Sequence, residues 1–368
     1  MLRIVADENI PFLNEFFGHF GEITSLPGRA MRTQDLKAAD VLLVRSVTRV
    51  NQQLLQSSQV KFVGTCTIGV DHLDADYLNE QKIVTASAPG CNAGGVVQYV
   101  LSALARVKPQ WINAKIGIVG CGNVGGRLYR VLSAAGVNVC AFDPFKHNSD
   151  IRWVQWDELL SCDIICVHTP LTRASTAPTL HLFNEVALAQ LKPGTLLLNA
   201  GRGEVIDNVA LLNRLQQKQD LMVVLDVWEG EPDILAPLME QVALGTPHIA
   251  GYSYEGRVNG SLMIHRALGE FLKVDKTKLD EHEAQVMAEA LGGTECLNFT
   301  DLNDSLVSIY DVARDDAQLR ALVTKEGTSR LGFDLLRKNY PKRRELSHYV
   351  ISPQTPFVES LRALGFSV

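Results

Sequence analysis

The stretch that most constrains this chain is KIGIVGCGNVGGRLYRVLSAAGVNVCAFD, residues 115–143. A short apolar run at 115–119 leads into Gly120, Gly122 and Gly125 at G-x-G-x-x-G spacing. Leu128, Val131, Leu132 and Ala135 then recur at helical intervals, and a second apolar run at 137–142 ends in Asp143. Each glycine has its own physical task. Gly120 makes the tight turn, Gly122 lets a pyrophosphate approach the backbone, and Gly125 lets helix and strand pack closely. The N-terminus of the helix then offers unpaired N–H groups to the anion. Asp143 stands 18 residues beyond Gly125, at a strand end. A carboxylate there accepts from both ribose hydroxyls and repels a 2′-phosphate, so the pattern predicts NAD rather than NADP.

A chain of 368 residues with 46% hydrophobic content can build two or three domains with sizeable cores. Lys and Arg total 35 against 41 Asp and Glu, a formal charge of −6 without a long basic tract, which argues against nucleic acid as the main partner. No apolar run reaches membrane-spanning length, and MLRIVADENI lacks the basic flank and apolar core of a signal peptide. The seven cysteines occur singly, without C-x-x-C or a Cys/His array at metal spacing. No metal is therefore expected, and a reducing cytoplasmic setting is.

Apolar runs at 2–7, 41–46, 60–64 and 82–86 read as strands, with helical segments at 11–20, 52–56 and 73–79 between them. This alternation predicts a small α/β domain with a mostly parallel sheet, whose ligands sit beyond the C-terminal strand ends. Those ends carry Arg45 and Ser46, and the Gly64–Gly69 segment with Thr67. Ser46 and Thr67 can donate hydroxyl hydrogen bonds to a carboxylate or phosphate, while Arg45 is equally suited to an ion pair at the domain interface. The apolar positions Val96, Val97, Val100, Leu101 and Leu104 predict a helix leading into the dinucleotide domain, as one side of a hinge.

Beyond Asp143, strand patterns at 163–168, 195–199, 221–226 and 242–244 alternate with helical stretches at 180–191 and 208–216. A helical pattern after Ala250 can return the chain to the first domain, and a changed pattern from about 281 reads as an added α/β module. The expected division is 1–109 with 251–280, then 110–250, then 281–368. The expected fold is two Rossmann-like or flavodoxin-like parallel-sheet domains around a cleft, followed by that module.

Three polar groups follow strands of the dinucleotide domain: Arg202, Glu231 and His248, separated by 29 and 17 residues. Parallel strands bring such loops to one edge of a sheet. Oxidation of a secondary alcohol needs a base for the hydroxyl proton, a task that suits His248, with Glu231 orienting the ring and stabilising the imidazolium. Arg202 can hold a substrate carboxylate and the oxygen that becomes a carbonyl. Asp226 also ends a strand, where it either contacts a nicotinamide carboxamide or holds an ordered turn. Thr169 and Pro170 follow IICVH and can line the cofactor, and His168 reads as structural or cofactor-lining rather than as the base.

The ordered motifs GVDHLD at 69–74, APGCNA at 88–93, the glycine fingerprint, HTPLT at 168–172, NAGRG at 199–203, DVWEGEP at 226–232 and TPHIAG at 246–251 resemble the D-isomer-specific 2-hydroxy-acid dehydrogenase family over about residues 1–280. The resemblance implies Arg202, Glu231 and His248 as catalytic residues. It implies cofactor contacts at Gly120, Gly122, Asn123, Val124, Gly125 and Asp143. Further contacts are implied at Thr169, Pro170, Ala200, Gly201, Arg202, Asp226 and Gly251. VRSVTRV at 44–50, HIAGYSYEGRVNG at 248–260 and the added module narrow the resemblance. It then implies NAD-dependent oxidation of a phosphorylated 2-hydroxy acid in a cytoplasmic homodimer, with Ser46, Thr67 and Tyr252 on the substrate and the C-terminal module in the dimer. Leu302, Leu306, Ile309, Leu331, Leu335 and Leu336 are the apolar positions available for such an interface. The basic cluster Arg337, Lys338, Lys342, Arg343 and Arg344 reads either as solvated surface or, through Arg343 and Arg344, as a reach into the partner's site. Two alternatives stay open: another D-2-hydroxy-acid dehydrogenase, such as one acting on phosphoglycerate, or a non-enzymatic interaction protein that responds to NAD.

Overall fold

In the computed structural model, residues 2–324, 327–328 and 330–368 are described, and the chain divides into two compact units. One holds everything up to Asn92 together with Ser253–Gly293; the other holds Ala93–Tyr252 together with Thr294–Val368.

The first unit contains five parallel strands: β1 (Leu2–Asp7), β2 (Gly21–Leu26), β3 (Val41–Val44), β4 (Phe62–Thr65) and β5 (Val84–Ala86), in the order β2-β1-β3-β4-β5. Strands β3 and β4 are buried at every residue, and β3, VLLV, appears in the sequence as an unbroken apolar run, as a central parallel strand covered on both faces does. Strand β2, GEITSL, lies at the edge with mixed exposure and escapes notice for that reason. The helix Tyr254–Phe271 returns to this sheet. Its Val258, Ile264 and Leu268 share a core with Ile4, Val41, Leu43 and Phe62. Gly64 makes room for it, since a Cβ there would lie 2.5 Å from Ile264 Cγ2. The next helix, Lys276–Leu291, joins the same core through Val286 and Ala290 and carries the unit past residue 280 to Gly293.

The second unit is built on six parallel strands: β6 (Ile116–Val119), β7 (Val139–Phe142), β8 (Ile164–Val167), β9 (Leu196–Asn199), β10 (Met222–Leu225) and β11 (Leu244–Gly245), in the order β11-β10-β9-β8-β6-β7. The chain runs from β6 to β7 on one side and then crosses to β8 on the other. That reversal opens the crevice in which doubly wound sheets bind ligands. The helix Ala93–Val107 is buried from Ala93 to Ala105. A helix apolar on all sides belongs inside a core rather than at a hinge surface. The expected boundary near 109 therefore falls at Asn92 instead.

Residues 294–368 form no separate contact unit. They are mostly helical, with one parallel strand pair, Glu295–Leu297 with Tyr349–Ile351. Leu306, Tyr310, Leu346, Ile351 and Leu361 share a core with Ile116, Leu196 and the Ala93–Val107 helix, while Leu319 and Phe333 join the core on the other face of the sheet. Most of the apolar positions expected at an interface are thus used internally. Leu306 is buried, Leu302 and Ile309 pack on the first core and Leu336 on the second. Only Leu331 and Leu335 of the six stand open, 70% and 43% exposed, one turn apart on the helix Arg330–Lys338. Among the described residues, no helix is long and apolar enough to cross a membrane.

Candidate active site

One register row crosses the six-stranded sheet: Phe142, Val119, Val167, Asn199, Leu225 and Gly245 are successive partners. The residues after this row leave one edge together. They are Asp143, Gly120, His168 with Thr169, the 200–202 loop, Asp226, and the 246–248 loop.

The glycine loop meets the three demands read from its spacing. Gly120 has φ +82°, and a Cβ there would lie 3.0 Å from the Thr169 backbone nitrogen. Gly122 opens the helix Asn123–Ala134 with nothing within 4 Å of where its Cβ would be. A Cβ on Gly125 would collide with the Gly120 carbonyl oxygen. Asn123 and Val124 are the first residues of that helix. Asp143 closes the turn from the neighbouring strand, accepting from the Cys121 amide at 2.9 Å and the Phe145 amide at 3.0 Å.

Beside this loop, both ring nitrogens of His168 and the Thr169 hydroxyl are buried without a hydrogen-bond partner. Burial pushes the His168 pKa down to about 4, so the ring is neutral. Buried polar atoms left unpaired at an open glycine turn fit a site whose ligand supplies the missing partners, as a dinucleotide does. Pro170 is exposed at the same edge, and Ala200 and Gly251 are half-buried.

Asn199 shapes the next loop: its side chain accepts from the Gly201 amide at 3.0 Å and donates to the Arg202 carbonyl at 2.9 Å. Arg202 is half-buried, with Nη1 donating to the Gly201 carbonyl at 2.9 Å. Asp226 is fully buried and holds the loop that follows β11. Its Oδ1 accepts from the Thr246 hydroxyl at 2.6 Å and the Ile249 amide at 2.8 Å, and its Oδ2 from the Ala250 amide at 2.9 Å. These contacts give Asp226 an ordered turn to hold. His248 sits in that turn at φ +56°, a left-handed conformation costly for a β-carbon residue, and donates its amide to the Asp226 carbonyl at 2.7 Å.

His248 Nδ1 lies 2.5 Å from Glu231 Oε1, while Glu231 Oε2 accepts from the Trp228 amide at 3.2 Å. Burial favours the neutral acid of Glu231, but His248 and then Arg337 outweigh it and hold the carboxyl below its ordinary range. A carboxylate only accepts, so the bonded Nδ1 carries the proton and Nε2 is left with a lone pair.

The C-terminal segment reaches this loop through a side chain that sequence did not single out from its cluster. Arg337 Nε donates to the Tyr252 hydroxyl at 3.1 Å, and its guanidinium lies 5.6 Å from the Tyr252 ring centre. Arg343 is different: it is 6% exposed, with Nη2 donating to the Ala250 carbonyl and Nη1 to the Tyr340 hydroxyl. A guanidinium engaged with its own chain in this way is not available to a neighbouring subunit, which corrects the expectation for Arg343. In the first unit, Val44 pairs with Thr65, so Ser46 and Thr67 follow adjacent strands at one sheet edge. Ser46 is exposed; the Thr67 hydroxyl bonds Thr65 Oγ1 at 2.8 Å and the Gly69 carbonyl at 3.3 Å.

Residues 101–250 match the family model described as D-isomer specific 2-hydroxyacid dehydrogenase, NAD binding domain, and residues 285–365 match a domain of unknown function. Erythronate-4-phosphate dehydrogenase of Saccharophagus degradans is 53% identical over 100% of this chain and 99% of its own. The protein of the same name in Teredinibacter turnerae is 52% identical, again over 100% and 99%. The NAD+-bound 3-phosphoglycerate dehydrogenase of Entamoeba histolytica superposes with a TM-score of 0.64 at 22% identity, covering 74% of this chain and 96% of that one. That last likeness is one of fold.

Proposed function

The chain belongs to the D-isomer-specific 2-hydroxyacid dehydrogenase family, and on that footing we propose that it oxidises 4-phospho-D-erythronate to (R)-3-hydroxy-2-oxo-4-phosphooxybutanoate, a step that the resemblance assigns to pyridoxine 5′-phosphate biosynthesis. The observation that carries the chemistry is the Glu231–His248 hydrogen bond at the sheet edge that also bears the glycine loop. NAD, when bound, supplies the acceptor for the hydride. His248 Nε2 takes the hydroxyl proton, and Glu231 keeps the ring in the tautomer that can do so and stabilises the resulting imidazolium. Arg202 binds the substrate carboxylate and the oxygen that becomes a carbonyl. Ser46, Thr67 and Tyr252 contact the rest of the substrate, with Arg337 adding positive charge at Tyr252. The substrate assignment is supported by relatives that match the chain from end to end, C-terminal segment included.

A panel of 4-phosphoerythronate, 3-phosphoglycerate, D-lactate and unphosphorylated erythronate tests this reading through NAD reduction. The expected order puts 4-phosphoerythronate first by kcat/KM. Preference for 3-phosphoglycerate would reject the substrate, and no turnover on any acid would favour a protein that binds NAD without catalysis.

Asp143 is assigned to the adenine ribose. Asp143→Ala removes an acceptor for ribose hydroxyls and also the tie to the Cys121 amide, so NAD affinity falls while repulsion of a 2′-phosphate is relieved. Titration of NAD and NADP should show their affinity ratio narrowing; an unchanged ratio would place Asp143 outside the ribose site.

We place the enzyme in the cytoplasm as a homodimer. All seven cysteines are free, including Cys140 and Cys162, whose sulfurs lie 3.7 Å apart, which suits a reducing compartment. The exposed Leu331 and Leu335 suit a self-complementary contact. Light scattering is expected to give twice the 40.5 kDa chain mass.

A further inference from the structure

Three imidazoles with no part in the reaction converge in the first unit. His19 lies in the turn after the helix Leu13–Phe17, His265 is on the helix Tyr254–Phe271 and His282 on Lys276–Leu291. Sequence spacing hides the group, since His19 and His265 are 246 residues apart. Each ring offers one nitrogen, and all three nitrogens lie within 4.8 Å of one another.

The outer hydrogen bonds determine which nitrogens face inward. His265 is fully buried, and its Nδ1 lies 2.9 Å from Glu283 Oε1; the other oxygen of Glu283 accepts from Arg266 Nε at 2.6 Å. A carboxylate only accepts, so Nδ1 carries the proton and Nε2 keeps a lone pair. That Nε2 shares a hydrogen bond with His19 Nε2 at 2.9 Å, whose proton a metal would displace. His282 Nε2 donates to the Glu15 carbonyl at 2.7 Å, which leaves the lone pair on Nδ1. His19 is itself hydrogen-bonded to the Phe16 backbone. Every ring thus has an outer protein acceptor, the arrangement that orients histidine ligands around metals. Packing against Phe16, Phe17 and Phe20 accounts for the burial of His265 but not for three rings each tethered from outside.

We propose that His19, His265 and His282 bind a divalent transition metal of the zinc class. Imidazole suits zinc, nickel and copper. The exposed position of His19 leaves the fourth place open to water. Bonds of about 2.0–2.1 Å in a tetrahedron put ligand nitrogens roughly 3.3 Å apart, so the 2.9 Å pair needs to open only slightly as His282 closes in. A bound ion would tie the turn after the first helix to two helices more than 230 residues later in the sequence and so stabilise the first unit.

Chelator-stripped, untagged full-length protein should take up one equivalent of zinc chloride in calorimetry and equilibrium dialysis, with a rise in Tm. Substitution of cobalt(II) should give a spectrum without a thiolate charge-transfer band. His19→Ala removes an exposed ring and should keep the fold by circular dichroism while weakening zinc at least tenfold. His282→Ala should do the same, whereas Cys296→Ser and His181→Ala should leave uptake unchanged. Absence of stoichiometric uptake overturns the proposal, as does uptake indifferent to His19→Ala or dependent on Cys296 or on the separate His181, Asp207 and Glu229 group.

Discussion

His248→Ala is expected to lower kcat by about 100-fold or more while NAD affinity stays close to that of the native chain. The imidazole is held by Glu231 on Nδ1, which leaves Nε2 as its only proton acceptor, and none of its hydrogen bonds goes to the glycine loop. Removing it should also remove the limb of the pH profile that reports its protonation. Steady-state kinetics across pH, with NAD titrated separately, distinguish loss of the base from loss of the cofactor site; near-native turnover with an unchanged profile would exclude His248 as the base. Glu231→Gln should fall less steeply, because the amide oxygen still accepts from Nδ1 although the charge is gone. Its stability should carry a matching sign. The folded pKa of Glu231 is depressed, so the carboxylate contributes stability above the ordinary carboxylate range and loses it as pH falls through the lowered value. The Tm gap between native and Glu231→Gln protein should accordingly narrow on acidification.

Legibility in the sequence followed the range of the interactions involved. Residues 115–143 are one local unit, strand, turn, helix and strand, so spacing alone carries the turn at Gly120, the opening at Gly122 and the position of Asp143. Central strands such as VLLV and IICV are visible because burial on both faces leaves them no polar positions. What escaped depends on distant partners. The polar residues of β2 resemble a loop because an edge strand needs only one covered face. The Ala93–Val107 helix has an apolar pattern whichever core it joins, and its packing with Ile116 and Leu128, and with Leu306 and Tyr310, distant in sequence, assigns it to the second unit. The three histidines are brought together by the return of two late helices to the first sheet, which no local window contains.

The basic cluster at 337–344 shows the same limit with the largest consequence for stability. Five cations in eight residues resemble a solvated face, and a reach by Arg343 and Arg344 across a dimer would leave folding unaffected if both were removed. The structure reverses that expectation for Arg343. Its guanidinium lies 4.3 Å from the Tyr310 ring centre, bonds the Tyr340 hydroxyl at 3.2 Å and donates to the carbonyl of Ala250, next to the turn that holds His248. Both tyrosine hydroxyls donate in turn to buried Asp315, at 2.6 and 2.8 Å. Burial alone would lower the pKa of Arg343, but Tyr340, Tyr310, Asp315 and Asp226 more than offset it, so the cation is kept charged inside the fold. Removing the cation leaves the Ala250 carbonyl without its donor and the buried Asp315 without its nearby positive charge, which costs about 3–5 kcal/mol. Arg343→Ala is therefore expected to lower Tm by roughly 6 °C or more, and to depress kcat because the Ala250 turn loses its support. Arg337→Ala is the contrast. This side chain is half-buried at Tyr252, so its loss should move Tm far less and raise KM for the phosphorylated acid more than for an unphosphorylated one. Thermal melts beside kinetics on both acids decide the matter: a stable Arg343→Ala with a selective KM defect would return Arg343 to the substrate, and an inert Arg337→Ala would take Arg337 out of the site.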